Sequence, residues 1–150
     1  MRMRLFIDTN VIVDALEKRE PFAEKARLIL ALGEVGEFEL WISPSQVTDI
    51  YYVLSHGEKK NRKAWATEAL MELRAFINIC SLTEEDIDIA LASSWDDFED
   101  ACINQALHKV KPDALITGNV QDYQLSDFPV FDCNVFFEWL EEKHQLVYSA

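Results

Sequence analysis

The stretch Phe6-Ile7-Asp8-Thr9-Asn10 closes the first apolar run of the chain, Met3 to Ile7, which only Arg4 interrupts. A run of that length predicts a strand buried on both faces. Asp8 falls where the strand should stop. In open α/β sheets ligands bind outside the carboxyl ends of the strands, so a carboxylate there is a candidate site residue. Asp and Asn are also favoured helix caps, and capping a helix that opens at Val11 is the competing reading of Asp8 and Asn10.

Helical spacing of apolar positions follows over Val11 to Leu16 and over Phe22 to Val35, with Pro21 at a helix start and Gly33 and Gly36 at its end. Leu40 to Ile42 predict a second strand. Ser43 to Gln46 then read as a capping box with Pro44 in the first turn of a helix reaching Ser55. Its apolar stripe is Val47, Ile50, Tyr51 and Leu54, which leaves Asp49 off the core face. After His56-Gly57 a helix is expected from Lys59 to Phe76, and a third strand from Ile77 to Cys80. Thr83 with Asp86 is a second capping box, flanked by Leu82 and Ile87 as a hydrophobic staple. A helix opening near Asp97 must stop before Pro112. Ala114 to Ile116 and Phe128 to Phe131 supply strands four and five, and Val135 to Leu140 a last helix. Alternating strands and helices predict an α/β protein, a three-layer α/β/α sandwich on a parallel sheet of about five strands, with residues 1–150 as one domain.

At 150 residues, the chain is long enough to bury a core without staples. Hydrophobic residues make up 49% and charged residues 27%, which argues against disorder, and no apolar run is long enough for a bilayer. An Asp after so short an apolar run leaves no room for a signal peptide, so a cytoplasmic protein is expected. Cys80, Cys102 and Cys133 are widely spaced, which fits reduced core thiols better than a zinc or disulfide framework. The 14 basic against 27 acidic residues give a net charge of −13, which repels polyanions at long range.

Acids recur at equivalent places along the chain. Asp8 follows strand one, Asp49 lies on the helix after strand two, and Asp100 is in the first turn of the helix before strand four. Thr117, Asn119 and Asp122 follow strand four directly. Oxygen donors from four segments at one end of a parallel sheet suit a hard divalent cation, Mg²⁺ or Mn²⁺. Each has a plainer role available: Asp97 as a cap with Asp100 behind it, Asp49 facing water, Asp122 in a turn. Asp97, Asp100 and Asn104 also share one helical face, which His108 extends.

The segments FIDTNVIVDAL, SPSQVTDIYYVL, DFEDACINQAL and ITGNVQDY resemble, in order and spacing, the four motif regions of PIN-domain nucleases. The likeness covers nearly the whole chain and is nearest to small prokaryotic members, including VapC-type toxins of toxin–antitoxin pairs. It implies a metal-dependent ribonuclease with Asp8, Asp49 and Asp100 as metal ligands. Asp97, Thr117, Asn119 and Asp122 would complete the catalytic set. Asp49 stands where many members carry Glu, Asn119 where relatives often have Asp, and Gly118 where relatives often place Arg or Lys. Hydrolysis by in-line attack would leave a 5′-phosphate and a 3′-hydroxyl. The resemblance also implies an RNA substrate, a homodimer and a basic antitoxin wrapping the acidic surface.

The densest basic cluster, Lys59, Lys60, Arg62 and Lys63, is the candidate RNA contact, read otherwise as a solvated helix start. Arg2, Arg4, Lys18 and Arg19 are candidates to flank the pocket, and Trp65, Leu70 and Leu73 either face a dimer partner or fill the core. Two other classes compete. A phosphotransfer enzyme would want a second Asp at Asn10, and a catalytically impaired PIN-like RNA-binding or regulatory module would keep the fold with Asp49 and Asn119 as its altered positions.

Overall fold

The structure is a computed structural model that describes residues 2–57 and 60–149. Five strands form one parallel sheet: β1 (Met3–Ile7), β2 (Phe38–Ile42), β3 (Ile77–Ile79), β4 (Ala114–Ile116) and β5 (Val130–Phe131), in the order β3-β2-β1-β4-β5. The chain first builds outward from β1 to β3 and then returns to the other side of β1. The strand order therefore reverses between β1 and β4.

Alternation along the strands explains the layers, because successive side chains point to opposite faces. Leu5, Ile7, Leu40, Ile42, Ala114 and Ile116 share one apolar cluster. Phe38 of β2 and Ile77 of β3 join them, and the other members come from helices α1 (Thr9–Glu17), α2 (Ala23–Glu34), α3 (Pro44–Ser55), α4 (Arg62–Arg74) and α7 (Cys133–His144). Phe6 and Leu115 point the other way, into a cluster with Ile103, Ala106, Leu107 and Val110 of α6 (Phe98–Val110). Ala90 of α5 (Glu84–Leu91) packs on Ala101 and Cys102 of α6. Leu5, Phe6 and Ile7 are all fully buried, as the apolar run predicts for a central strand.

Both capping boxes form: Ser43 with Gln46, and Thr83 with Asp86. Some boundaries differ from the sequence reading. Pro21 lies outside its helix, which starts at Ala23 with Phe22 as the N-cap. Gly33 is inside α2 rather than at its end, since a Cβ there would sit 2.3 Å from Leu40 Cδ1; the helix needs glycine to lie on β2. Gly36, at φ +86°, makes the turn that follows. The fourth helix begins at Arg62, not Lys59, and ends at Arg74. Leu73 is buried, and Trp65 and Leu70 pack against the main core. The three cysteines are free and buried. Among the described residues no helix is long and apolar enough to cross a membrane.

Gln46 ties the two central strands together at their carboxyl ends. Its Oε1 accepts the Ser43 N–H at 2.7 Å while its Nε2 donates to the Ile7 carbonyl at 2.7 Å, and the side chain is 1% exposed. Gln46→Leu leaves a buried N–H and a buried C=O unpaired at about 1–3 kcal/mol each. We expect chemical denaturation to show a loss of about 2–4 kcal/mol, and a loss below 0.5 kcal/mol would show that water replaces the amide.

Candidate active site

Asp8 is the residue after β1 and both caps and reaches. Its Oδ1 accepts the Thr9 N–H at 2.8 Å, and its own N–H donates to the Ile116 carbonyl at 2.9 Å, carrying the β1–β4 pairing past the strand end. Oδ2 faces the opposite way and accepts the Thr117 hydroxyl at 2.7 Å. The Tyr123 hydroxyl lies 3.4 Å from the same oxygen. Burial raises the Asp8 pKa; the bonds from Thr117, Thr9 and Tyr123 offset part of this, and the Asp122 charge adds to it.

Asp100 comes from the opposite side of the sheet. Asp97 is the N-cap of α6, its Oδ1 accepting the Asp100 N–H at 2.9 Å, so the first turn holds Asp100 in place. The Tyr123 hydroxyl sits 3.1 Å from Asp100 Oδ1 and thus bridges the two carboxylates. Burial, followed by the charges of Asp97, Asp8 and Asp122, pushes Asp100 up to about 6 against the Tyr123 bond. Burial and the two carboxylates hold the phenol far above its ordinary value, so Tyr123 is a neutral donor.

A third pair stands beside them. Glu99 stands beside Asp49 of α3, and that carboxyl, with partial desolvation and the charges of Asp49, Asp97 and Asp100, raises the Glu99 pKa to about 7. Asp49 stands against Glu99, the neighbour of Asp100 in the first turn of α6.

The loop after β4 completes the cleft. Thr117 is fully buried, its Oγ1 donating to Asp8 and accepting the Asn119 N–H at 3.0 Å; it positions Asp8 and has no free face for water or phosphate. Gly118 donates its N–H to Asn10 Oδ1 at 2.9 Å, and a Cβ there would lie 3.3 Å from that oxygen. Asn119 and Asp122, the latter on a 3₁₀ turn (Val120–Tyr123), line an open cleft of about 370 Å³ with Asp8, Asp97, Glu99 and Asp100. Arg19 also lines it.

The basic candidates lie elsewhere. Arg62 Nη2 pairs with Glu17 Oε1 at 2.6 Å and its guanidinium lies over Trp65 at 4.5 Å, which commits it to the α1–α4 contact. Lys18 and Lys60 line a separate hollow with Arg62, and Lys63 is exposed; the Lys59 reading lies outside the described residues. Arg4 binds Glu39 and the Val110 carbonyl at the amino-terminal end of β1, and Arg2 lies within 3.9 Å of Glu39. Of the four proposed flanking cations, Arg19 reaches the cleft. His108 pairs with Asp127 at 3.3 Å on the surface.

Glu99 and Tyr123 were missed from the sequence. Glu99 is one of two acids in the first turn of α6, behind the Asp97 cap, where the helix dipole already explains it, and Tyr123 had no periodicity to mark it. As placed, no three His, Cys, Asp or Glu side chains among the described residues are gathered closely enough to hold an ion. The donor set nonetheless fits a hard divalent cation in its chemistry. The donors are carboxylate oxygens, and proton affinity is raised at Asp8, Glu99 and Asp100 by burial and mutual repulsion, which a cation would relieve.

Residues 4–121 match the PIN domain family. Ribonuclease VapC1 of Aquifex aeolicus is 27% identical over 143 residues, covering 90% of this chain and 94% of that protein. Among solved structures, FitAB bound to an IR36 DNA fragment superposes with a TM-score of 0.65 at 17% identity, over 86% of this chain and 94% of that one. VapBC2 from Rickettsia felis, bound to a DNA fragment from their promoter, gives 0.62 at 14% identity, over 87% and 98%. Both likenesses are of fold.

An acid whose pKa is higher folded than unfolded binds extra protons in the native state, so stability falls as pH rises between the two values. For Asp100 the window runs from 3.8 to about 6, and for Glu99 from 4.5 to about 7. Thermal unfolding of metal-free protein should therefore show a melting temperature that falls through this range. Asp100→Asn and Glu99→Gln should each flatten the fall and melt higher than the parent at pH 7.5; parallel profiles would refute the repulsion.

Proposed function

The chain belongs to the PIN domain family, and from that premise we propose that it is a divalent-metal-dependent endoribonuclease, the toxin of a toxin–antitoxin pair. The observation that carries the reading is the pairing of Asp8 with Asp100 through one neutral hydroxyl at the carboxyl edge of the sheet, where the strand order reverses. The ribonuclease named among its relatives supports it.

Asp8 and Asp100 would hold the ion, with Asp122 and the Asp49–Glu99 pair as further oxygen donors. A bound Mg²⁺ or Mn²⁺ lowers the pKa of water and neutralises charge on the phosphate. The protein's own residues set the stage for hydrolysis. Thr117 and Tyr123 fix the carboxylates before substrate arrives, and Arg19 offers a cation on the cleft wall to a phosphate oxygen. The water oxygen bonds to phosphorus while the bond to the 3′ oxygen breaks and that oxygen takes a proton, leaving 5′-phosphate and 3′-hydroxyl ends. The net charge of −13 is complementary to a basic antitoxin segment. The cytoplasm, where RNA is available, is the proposed place of action.

The test is cleavage of an RNA panel in Mn²⁺, Mg²⁺ or EDTA. Asp8→Asn and Asp100→Asn should each lose about a hundredfold or more. Thr117→Val, which loosens Asp8 without removing it, should lose about 10–100-fold. Cleavage that persists in EDTA or in both Asn variants would overturn the reading, and metal-independent RNA binding by a folded, uncleaving protein would establish a regulatory module instead.

A further inference from the structure

A second hollow of about 330 Å³ adjoins the acidic cleft, lined by Trp95, Asp96, Asp97, Asp100, Gln121, Asp122, Gln124 and Leu125. It shares Asp97, Asp100 and Asp122 with the cleft, so the two adjoin along these three acids. Its chemistry differs. The cleft has no aromatic side chain among its described residues, whereas Trp95 walls the hollow, braced edge-on by the buried Tyr123 ring at 5.9 Å and packed against the core clusters on both sides of α6. Tyr123 thus touches Trp95 with its ring and both carboxylates with its hydroxyl. The volume is at the lower end of small-ligand pockets, roughly 300–1,000 Å³.

A phosphate would be repelled by Asp96 and Asp97, whereas a neutral base would not. We propose that this hollow is the subsite for the nucleobase next to the scissile phosphate, with Trp95 as its stacking surface and Gln121, Gln124 and Asp96 reading the base edge. The proposal rests on the ribonuclease reading above and names the part of the substrate that site selects. Stacking on an aromatic ring accepts any base. The edge does discriminate: Asp96 only accepts hydrogen bonds, and bases with an exocyclic amine (adenine, cytosine, guanine) bring its N–H donors where uracil has N3–H alone, so they are favoured over uracil.

The experiment uses four single-stranded RNAs that differ only in the nucleotide beside the cleaved bond. Wild type should cleave the uracil substrate least. Trp95→Ala should raise KM about tenfold or more, the worth of one stacked base, and Trp95→Phe should recover most of it. Gln124→Ala should narrow the gap between uracil and the other bases. Circular dichroism and melting of each variant separate unfolding from lost binding; a structural role for Trp95 would lower kcat for all four RNAs alike. A folded Trp95→Ala protein with unchanged KM and preference overturns the subsite. If wild type cleaves none of the RNAs, the ribonuclease reading has failed, and fluorescence anisotropy of the same labelled RNAs in Ca²⁺ then decides the subsite. Binding weakened about tenfold by Trp95→Ala and restored by Trp95→Phe upholds it, and equal binding ends it.

Discussion

The hydroxyl of Thr117, 2.7 Å from Asp8 Oδ2, spans the point at which β1 and β4 part. A parallel sheet that builds outward from its central strand and then returns leaves a crevice there, because the connections leave β1 and β4 in different directions. Asp8 N–H still bonds across to the Ile116 carbonyl, so the backbone pairing runs right up to the crevice before it stops. The carboxylate beyond it is thus fixed at both ends, by the sheet beneath and by Thr117, Thr9 and Tyr123 around it. Asp100 is tied to it through the Tyr123 hydroxyl.

Holding carboxylates so close without a countercharge works against the fold. Hydrogen bonds to a carboxylate favour its charged form, yet at Asp8 burial outweighs the donors. Asp86 provides the contrast within the same chain. It too accepts from a capping box, but Lys109 sits beside it and its pKa is lowered. The difference is the missing cation. Among the described residues no lysine stands against Asp8, Glu99 or Asp100 as Lys109 does against Asp86, and a bound cation would relieve the repulsion that results.

Most of the fold was legible because period-2 and period-3.6 patterns are local: Leu5, Phe6 and Ile7 name a central strand, and Ser43 to Gln46 name a helix start. What stayed hidden depends on who meets whom across the sheet. Gln46 reads as the second half of a capping box, and nothing in its neighbourhood says that its amide also reaches the Ile7 carbonyl. Glu99 and Asp100 are adjacent, but about 100° apart around a helix they face different partners, Asp49 and Tyr123. Asp8 and Asp100 could be picked out from their places at strand and helix ends. Their bridge could not, since Tyr123 sits on a turn whose geometry exists only once β4 and β5 have paired. The basic run at the start of α4 misled for the reverse reason: Arg62 is spent on Glu17 and Trp65, contacts that no local pattern announces.

The same geometry answers the objection raised by a net charge of −13. Exposed charges are screened beyond roughly 8 Å at physiological ionic strength, so an approaching RNA responds to the few groups nearest its point of contact rather than to the total. Near the cleft those groups are the acids themselves and Arg19. Divalent cations collected by the acids would reverse the local sign and give the phosphate a partner, while the bases, which carry no charge, would meet Trp95 in the adjoining hollow. On the proposed reading the chain would recruit RNA through the ions its acids gather and the base it stacks, leaving the rest of its negative surface to a basic protein partner.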